Sequence, residues 1–145
     1  MSETSYFVED LQPGMTASFS KTITETDVVL FAAVSGDTNP VHFDEEYAKT
    51  TVFKGRVVHG MLSLSLLSAV LGSKMPGPGT IFLNSNMTFK APVRIGDRVT
   101  ATCTVREVNV ERKRVVFDCT CAVKDTVVVQ GEALVMVPSR GSARA

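Results

Sequence analysis

His59-Gly60-Met61-Leu62-Ser63-Leu64-Ser65-Leu66-Leu67-Ser68-Ala69-Val70-Leu71 is the stretch that decides the fold. From Leu62 to Leu71 it is apolar nearly all the way round, which marks a helix buried inside a domain. Three serines interrupt it and it is too short to span a bilayer. Met61, Ser65, Ser68 and Gly72 fall on one helical stripe of mostly small side chains, where something can approach closely. After Gly77-Pro78-Gly79 the pattern switches to four strand-like runs: Thr80–Lys90, Arg98–Arg106, Arg114–Lys124 and Thr126–Val137. Val99, Ala101, Cys103 and Val105 alternate with Thr100, Thr102 and Thr104. Val115, Phe117, Cys119, Cys121 and Val123 likewise alternate with Asp118, Thr120 and Lys124. Such one-sided alternation predicts an antiparallel sheet with one wet face. A buried helix followed by long antiparallel strands predicts an α+β arrangement in which the sheet wraps around the helix.

Working upstream, Met15–Ile23 alternates as a first strand. Thr24 with Asp27 three residues later has the form of a capping box, opening a helix that carries Val28, Leu30, Phe31, Ala32 and Val34. Ser35-Gly36 ends it. Asp44–Lys49 reads as a short helix, acidic where the dipole favours anions. The 145 residues predict one domain over 1–138, with 139–145 as a frayed tail. Formal net charge is zero, so the electrostatic footprint of a nucleic-acid binder is missing. Arg112-Lys113-Arg114 reads as a solvated hairpin tip. No charged segment precedes an apolar run at the N-terminus, which argues against a secretory signal. The three cysteines lack a CxxC spacing and read as small buried hydrophobes in a reducing compartment. The expected location is the cytoplasm, without membrane association.

Between the first two helices lies Ser35-Gly36-Asp37-Thr38-Asn39-Pro40-Val41-His42-Phe43-Asp44. The chain has only two histidines, and one of them sits here at a turn-like spacing from Asp37. Converging Asp and His side chains can hold a water and pass its protons, as a hydratase or hydrolase requires. Asp-Thr-Asn-Pro is also good turn chemistry, because Asp and Asn cap local backbone and Pro fixes φ. From these residues alone, both readings stand.

Gly36-Asp37-x-Asn39-Pro40-Val41-His42, then Val58-His59-Gly60-Met61, then Phe89-x-x-Pro92-Val93-x-x-Gly96-Asp97 closely resembles the MaoC-like hydratases. Within them the chain is most similar to the short (R)-specific enoyl-CoA hydratases of polyhydroxyalkanoate precursor supply. The resemblance runs from about Met15 to Pro138, and the three motifs come in the family's order. It implies a hotdog fold, a homodimer whose sheets join edge to edge, and active sites near the subunit interface. Assembly beyond the dimer stays open. The implied reaction is reversible syn addition of water to a trans-2-enoyl-CoA, giving the (R)-3-hydroxyacyl-CoA, with no cofactor and no metal.

On that resemblance Asp37 is the expected base and His42 grips the same water. The Gly60 amide, at the start of the buried helix, is expected to bind the thioester oxygen, where unpaired N–H groups favour an oxyanion. Asn39 is expected to hold the loop. His59 and Met61 adjoin the oxyanion position, and Ser68 matches a position that lines the acyl pocket; these four are the expected substrate-binding residues. Structural alternatives are an Asx-turn cap for Asp37, a core histidine for His42, and close packing for Gly60, His59 and Ser68. Other activities to weigh are a 3-hydroxyacyl-carrier-protein dehydratase, a hotdog acyl-CoA thioesterase, or a non-catalytic acyl-thioester-binding module. Serine hydrolase chemistry is disfavoured, because Ser63, Ser65 and Ser68 lack a nucleophile elbow.

Overall fold

In a computed structural model that describes residues 5–142, the Thr24 capping box forms as its sequence predicts. The Thr24 hydroxyl accepts from the Asp27 amide at 3.1 Å, and the Asp27 carboxylate accepts from the Thr24 amide at 2.9 Å. Helix α1 spans Glu25–Ser35 and stops at Gly36, whose φ of +81° belongs to the left-handed region that favours glycine. It follows strand β1, Thr16–Thr22. A 3-10 turn at Pro40–His42, capped by the Asn39 side chain, leads into the short helix α2, Glu45–Lys49. Asp44 caps α2 by accepting from the Tyr47 amide at 3.1 Å.

Helix α3 spans Gly60–Ala69 and runs on through a π turn at Val70–Lys74. The remaining strands are β2 (Ile81–Phe89), β3 (Arg98–Asn109), β4 (Arg114–Val123) and β5 (Thr126–Met136). They form one five-stranded antiparallel sheet in the order β1-β3-β4-β5-β2. This is the hotdog architecture, with α3 lying against β3 and β4. Val99, Ala101, Cys103, Val105, Val115, Phe117, Cys119 and Cys121 all face inward, as their alternation predicts. They meet Leu62, Leu66, Leu67, Val70 and Leu71 in one core. Burying each of these helix side chains is worth about 1.5–3 kcal/mol.

The helix is not buried all round within one protomer. Met61, Ser65, Ser68 and Gly72 form an exposed stripe, because the sheet covers only the opposite side. Nearly every residue of β2 is exposed as well, since it is an edge strand. At the C-terminal end, Arg140 pairs with Asp10 and its amide donates to Glu9 at 3.1 Å. Part of the expected tail, residues 143–145, lies outside the described residues.

Candidate active site

The loop after α1 folds around its own polar side chains. The Asp37 carboxylate accepts from the Asn39 amide at 3.2 Å, and the Asn39 side chain accepts from the Val41 amide at 3.2 Å. These are the local Asx bonds that such a sequence favours. They leave Asp37 exposed and turn His42 inward, to 7% exposure. The two readings of the loop are therefore compatible: the turn chemistry is what presents the Asp and the His.

His42 is held from several sides. Its Nδ1 lies 2.7 Å from the Val57 carbonyl oxygen. A carbonyl only accepts, so Nδ1 carries the proton, and in the neutral ring Nε2 is left with its lone pair. Its own carbonyl accepts from Arg56 Nε at 2.7 Å, and Arg56 is anchored in turn on Glu25 at 2.9 Å. Burial pushes the His42 pKa below the ordinary histidine range. The Val57 carbonyl opposes this, the neighbouring His59 adds to it, Asp37 opposes it and Arg56 adds to it.

Nε2 of His42 faces Asp37 Oδ2 at 3.8 Å. That is too long for a direct hydrogen bond. With His42 neutral, both atoms are acceptors, so they are complementary to a shared donor and not to each other. A water molecule fits this requirement, because it has two O–H groups to give.

The second histidine completes the cluster. His59 Nε2 lies 3.0 Å from the Asp37 carbonyl oxygen, and its ring stacks on His42 with centroids 3.8 Å apart and planes 28° apart. His59 is the N-cap of α3, so Gly60 and Met61 follow it as the first helical residues. The Gly60 N–H therefore has no carbonyl one turn earlier within the helix to pair with. A Cβ on Gly60 would lie 2.8 Å from Cε1 of the Phe89 ring, so the glycine lets that ring press close to the helix start.

Asp37, Asn39, His42, His59, Gly60 and Met61 all line one cleft of about 490 Å³. Ser68 does not; it sits two turns along α3 on the exposed stripe. Sequence reasoning placed neither Phe53 nor Phe89 in the site, although Phe89 opens the third motif; both supply aromatic wall. It also missed Val57, whose backbone carbonyl fixes the His42 tautomer. Val57 acts through its main chain, so no side-chain signal could have found it. Lys90 also lines the cleft, whereas Arg56 and Arg94 are spent on backbone carbonyls of the neighbouring loop. Asp37, His42 and His59 offer donor atoms within 4.8 Å of one another, but each histidine has one ring nitrogen on a carbonyl.

A family model described as "MaoC like domain" matches residues 9–128. An (R)-specific enoyl-CoA hydratase of Rhodospirillum rubrum is 57% identical over 136 residues, covering 94% of each chain. A 3-hydroxybutyryl-CoA dehydratase of Methylorubrum extorquens is 46% identical, covering 94% of this chain and 87% of its own. The solved structure of an (R)-hydratase from Aeromonas caviae, described as involved in PHA biosynthesis, superposes with a TM-score of 0.86 at 38% identity. That match covers 90% of this chain and 99% of the other.

Proposed function

The chain belongs to the MaoC-like family, and from that premise we propose that it is an (R)-specific enoyl-CoA hydratase. It is a hydro-lyase that adds water reversibly to a trans-2-enoyl-CoA and gives the (R)-3-hydroxyacyl-CoA. The observation that carries this reading is the 3.8 Å gap between Asp37 Oδ2 and His42 Nε2, two acceptors aimed at one water site in the cleft.

In the forward direction the bound water donates its two O–H groups to Asp37 and to His42 Nε2. Asp37 removes one proton as the water oxygen bonds to the β-carbon. The alkene electrons move toward the thioester oxygen, where the Gly60 N–H and the start of α3 stabilise the growing negative charge. A proton then returns to the α-carbon from the dyad. Attack and return come from the same side of the substrate, so addition is syn. Asn39 holds the loop geometry, while Met61 and His59 form cleft wall beside the thioester. Lys90, the cationic side chain among the described lining residues, is suited to the phosphates of CoA.

The exposed stripe of α3 and the exposed edge strand β2 suit a second copy of the chain, giving a homodimer in which Ser68 lies at or near the joint. Supply of hydroxyacyl-CoA for polyhydroxyalkanoate synthesis is proposed here too; the Aeromonas hydratase is described as involved in PHA biosynthesis. Among the described residues no helix is long and apolar enough to cross a membrane, and a cytoplasmic location is proposed.

The test follows alkene absorbance and free thiol together with crotonyl-CoA as substrate. Absorbance is expected to fall without thiol release, and chiral analysis should return the (R) product. Thiol appearing while the alkene persists would overturn the hydratase reading in favour of a thioesterase.

A further inference from the structure

The catalytic reading of Asp37 and His42 leaves the second histidine only a place in the cleft wall. Yet His59 is 1% exposed and touches both members of the pair. Through Nε2–H it donates to the Asp37 backbone carbonyl at 3.0 Å, and through its face it stacks on the His42 ring at 3.8 Å. Phe31 of α1 also packs on it, with ring centroids 4.9 Å apart and planes tilted by 55°. If packing were the whole purpose, a phenylalanine would fill this position at less cost. A histidine here buries Nδ1, which has no hydrogen-bond partner among the described residues. An unsatisfied buried nitrogen is a penalty that a purely apolar ring avoids.

Resting on the hydratase reading, we propose that His59 is a positioning residue. It ties the Asp37 loop to the start of α3 and clamps the His42 ring, so that Oδ2 and Nε2 hold the spacing one water needs. The link has a geometric logic. Gly60 follows His59 directly, so the same residue also fixes the oxyanion amide relative to the pair. Three groups of the proposed reaction, drawn from two separate segments, are registered through one side chain. A displacement of about 1 Å in such an arrangement costs up to roughly 100-fold in rate.

The charged and titratable groups that face His42 are Asp37, His59 and Arg56, with Glu25 behind Arg56. Among these, His59 is the neighbour stacked on the ring, and it disfavours a positive charge on His42. Its replacement by phenylalanine, which keeps the ring contact and so the burial of His42, therefore moves the acid limb of the pH–rate profile to higher pH. In a variant that also loses the ring, added hydration of His42 pushes the same way.

The experiment uses the full chain with His59→Phe and His59→Gln. Phenylalanine keeps the stacked ring and removes the donor; the glutamine Nε2 stands in for the imidazole Nε2–H and removes the ring. His59→Phe is expected to lower kcat roughly 10–100-fold with little change in KM. His59→Gln should recover most of that loss, and the acid limb should move upward in His59→Phe, where the ring contact is kept. Because the chain has two histidines, a long-range proton–nitrogen spectrum resolves both rings. The unsubstituted protein should show one neutral ring protonated on Nδ1 and the other on Nε2. Wild-type kcat in His59→Phe would overturn the proposal, as would equal losses of kcat and melting temperature in both variants. Two rings of the same tautomer in the unsubstituted protein would also overturn it. That spectrum keeps the proposal open to refutation even if His59→Phe does not fold. If crotonyl-CoA is not hydrated, the functional reading fails separately, and the spectrum still tests the two hydrogen bonds that hold the rings.

Discussion

Asp37 and His42 are divided by environment: one is exposed on a turn, the other is buried against a carbonyl. Asp37→Asn and His42→Ala should each lower kcat on the order of 10²–10⁴-fold on crotonyl-CoA, the loss expected when an acid or base is removed. The pH dependence follows from the direction of the His42 shift. Its folded pKa lies below the ordinary value of 6.5, so the ring stays neutral, and able to accept from water, further into acid than a free histidine. The acid limb of kcat should therefore fall below the ordinary histidine range. The same shift bears on stability. Between the folded and unfolded pKa values the unfolded chain binds more protons, so the stabilisation is complete above 6.5 and is lost as pH falls toward the folded value. Urea midpoints at about pH 5 and about pH 7.5 should differ less in His42→Gln than in the unsubstituted protein. The sequence made Asp37, Asn39 and His42 legible because their side chains act through short-range turn geometry. It could not reveal the Val57 carbonyl or the Phe89 ring, which reach the site only through the tertiary fold.

At the scale of elements, the strand and helix pattern was readable to within about three residues at each end, because alternation and capping are local signals. The Thr24–Asp27 box is one example, and Thr24→Ala should cost about 1 kcal/mol in chemical denaturation. Gly131 shows what such signals miss. It lies within the alternating run of β5, yet a Cβ there would stand 2.0 Å from the Asn86 backbone oxygen of the paired strand β2. Backbone cannot step aside as a flexible side chain can, so Gly131→Ala should disrupt the β2–β5 pairing. The expected loss is more than about 3 kcal/mol, read from the denaturation midpoint, among the larger effects known for single substitutions. The cysteines follow their strands as expected. Burial pushes the Cys121 thiol up to about 12, and Cys103 is raised by its contact with the Cys119 sulfur 3.7 Å away and by burial. All three should resist a thiol reagent in the native state and react together on unfolding.

For the whole molecule, one protomer leaves unexplained what its sequence declared about α3. An all-round apolar helix was expected to be enclosed, yet the Met61, Ser65 and Ser68 stripe is open, and so is β2 beyond it. Ile81, Phe82 and Leu83 begin that strand with large apolar side chains, each about 40% exposed. An edge strand with free hydrogen-bonding groups and apolar side chains is a pairing surface unless something covers it. Closed two-fold symmetry is the commonest way a chain covers its own edge, since the same strand serves both partners. Small residues on the stripe suit this arrangement, because they let a second backbone come near. The proposed dimer should therefore sediment at twice the 15.6 kDa of one chain, with a joint burying at least about 1,200 Å². Leu83→Glu, which adds a charge to the edge strand, should shift the population toward monomer at micromolar concentration. If the cleft depends on the partner for part of its wall, the same substitution should reduce hydration in proportion to the monomer formed. Activity that persists in a fully monomeric Leu83→Glu variant would show that each protomer's cleft is complete by itself. A monomer of the unsubstituted chain would remove the second copy from the account of α3.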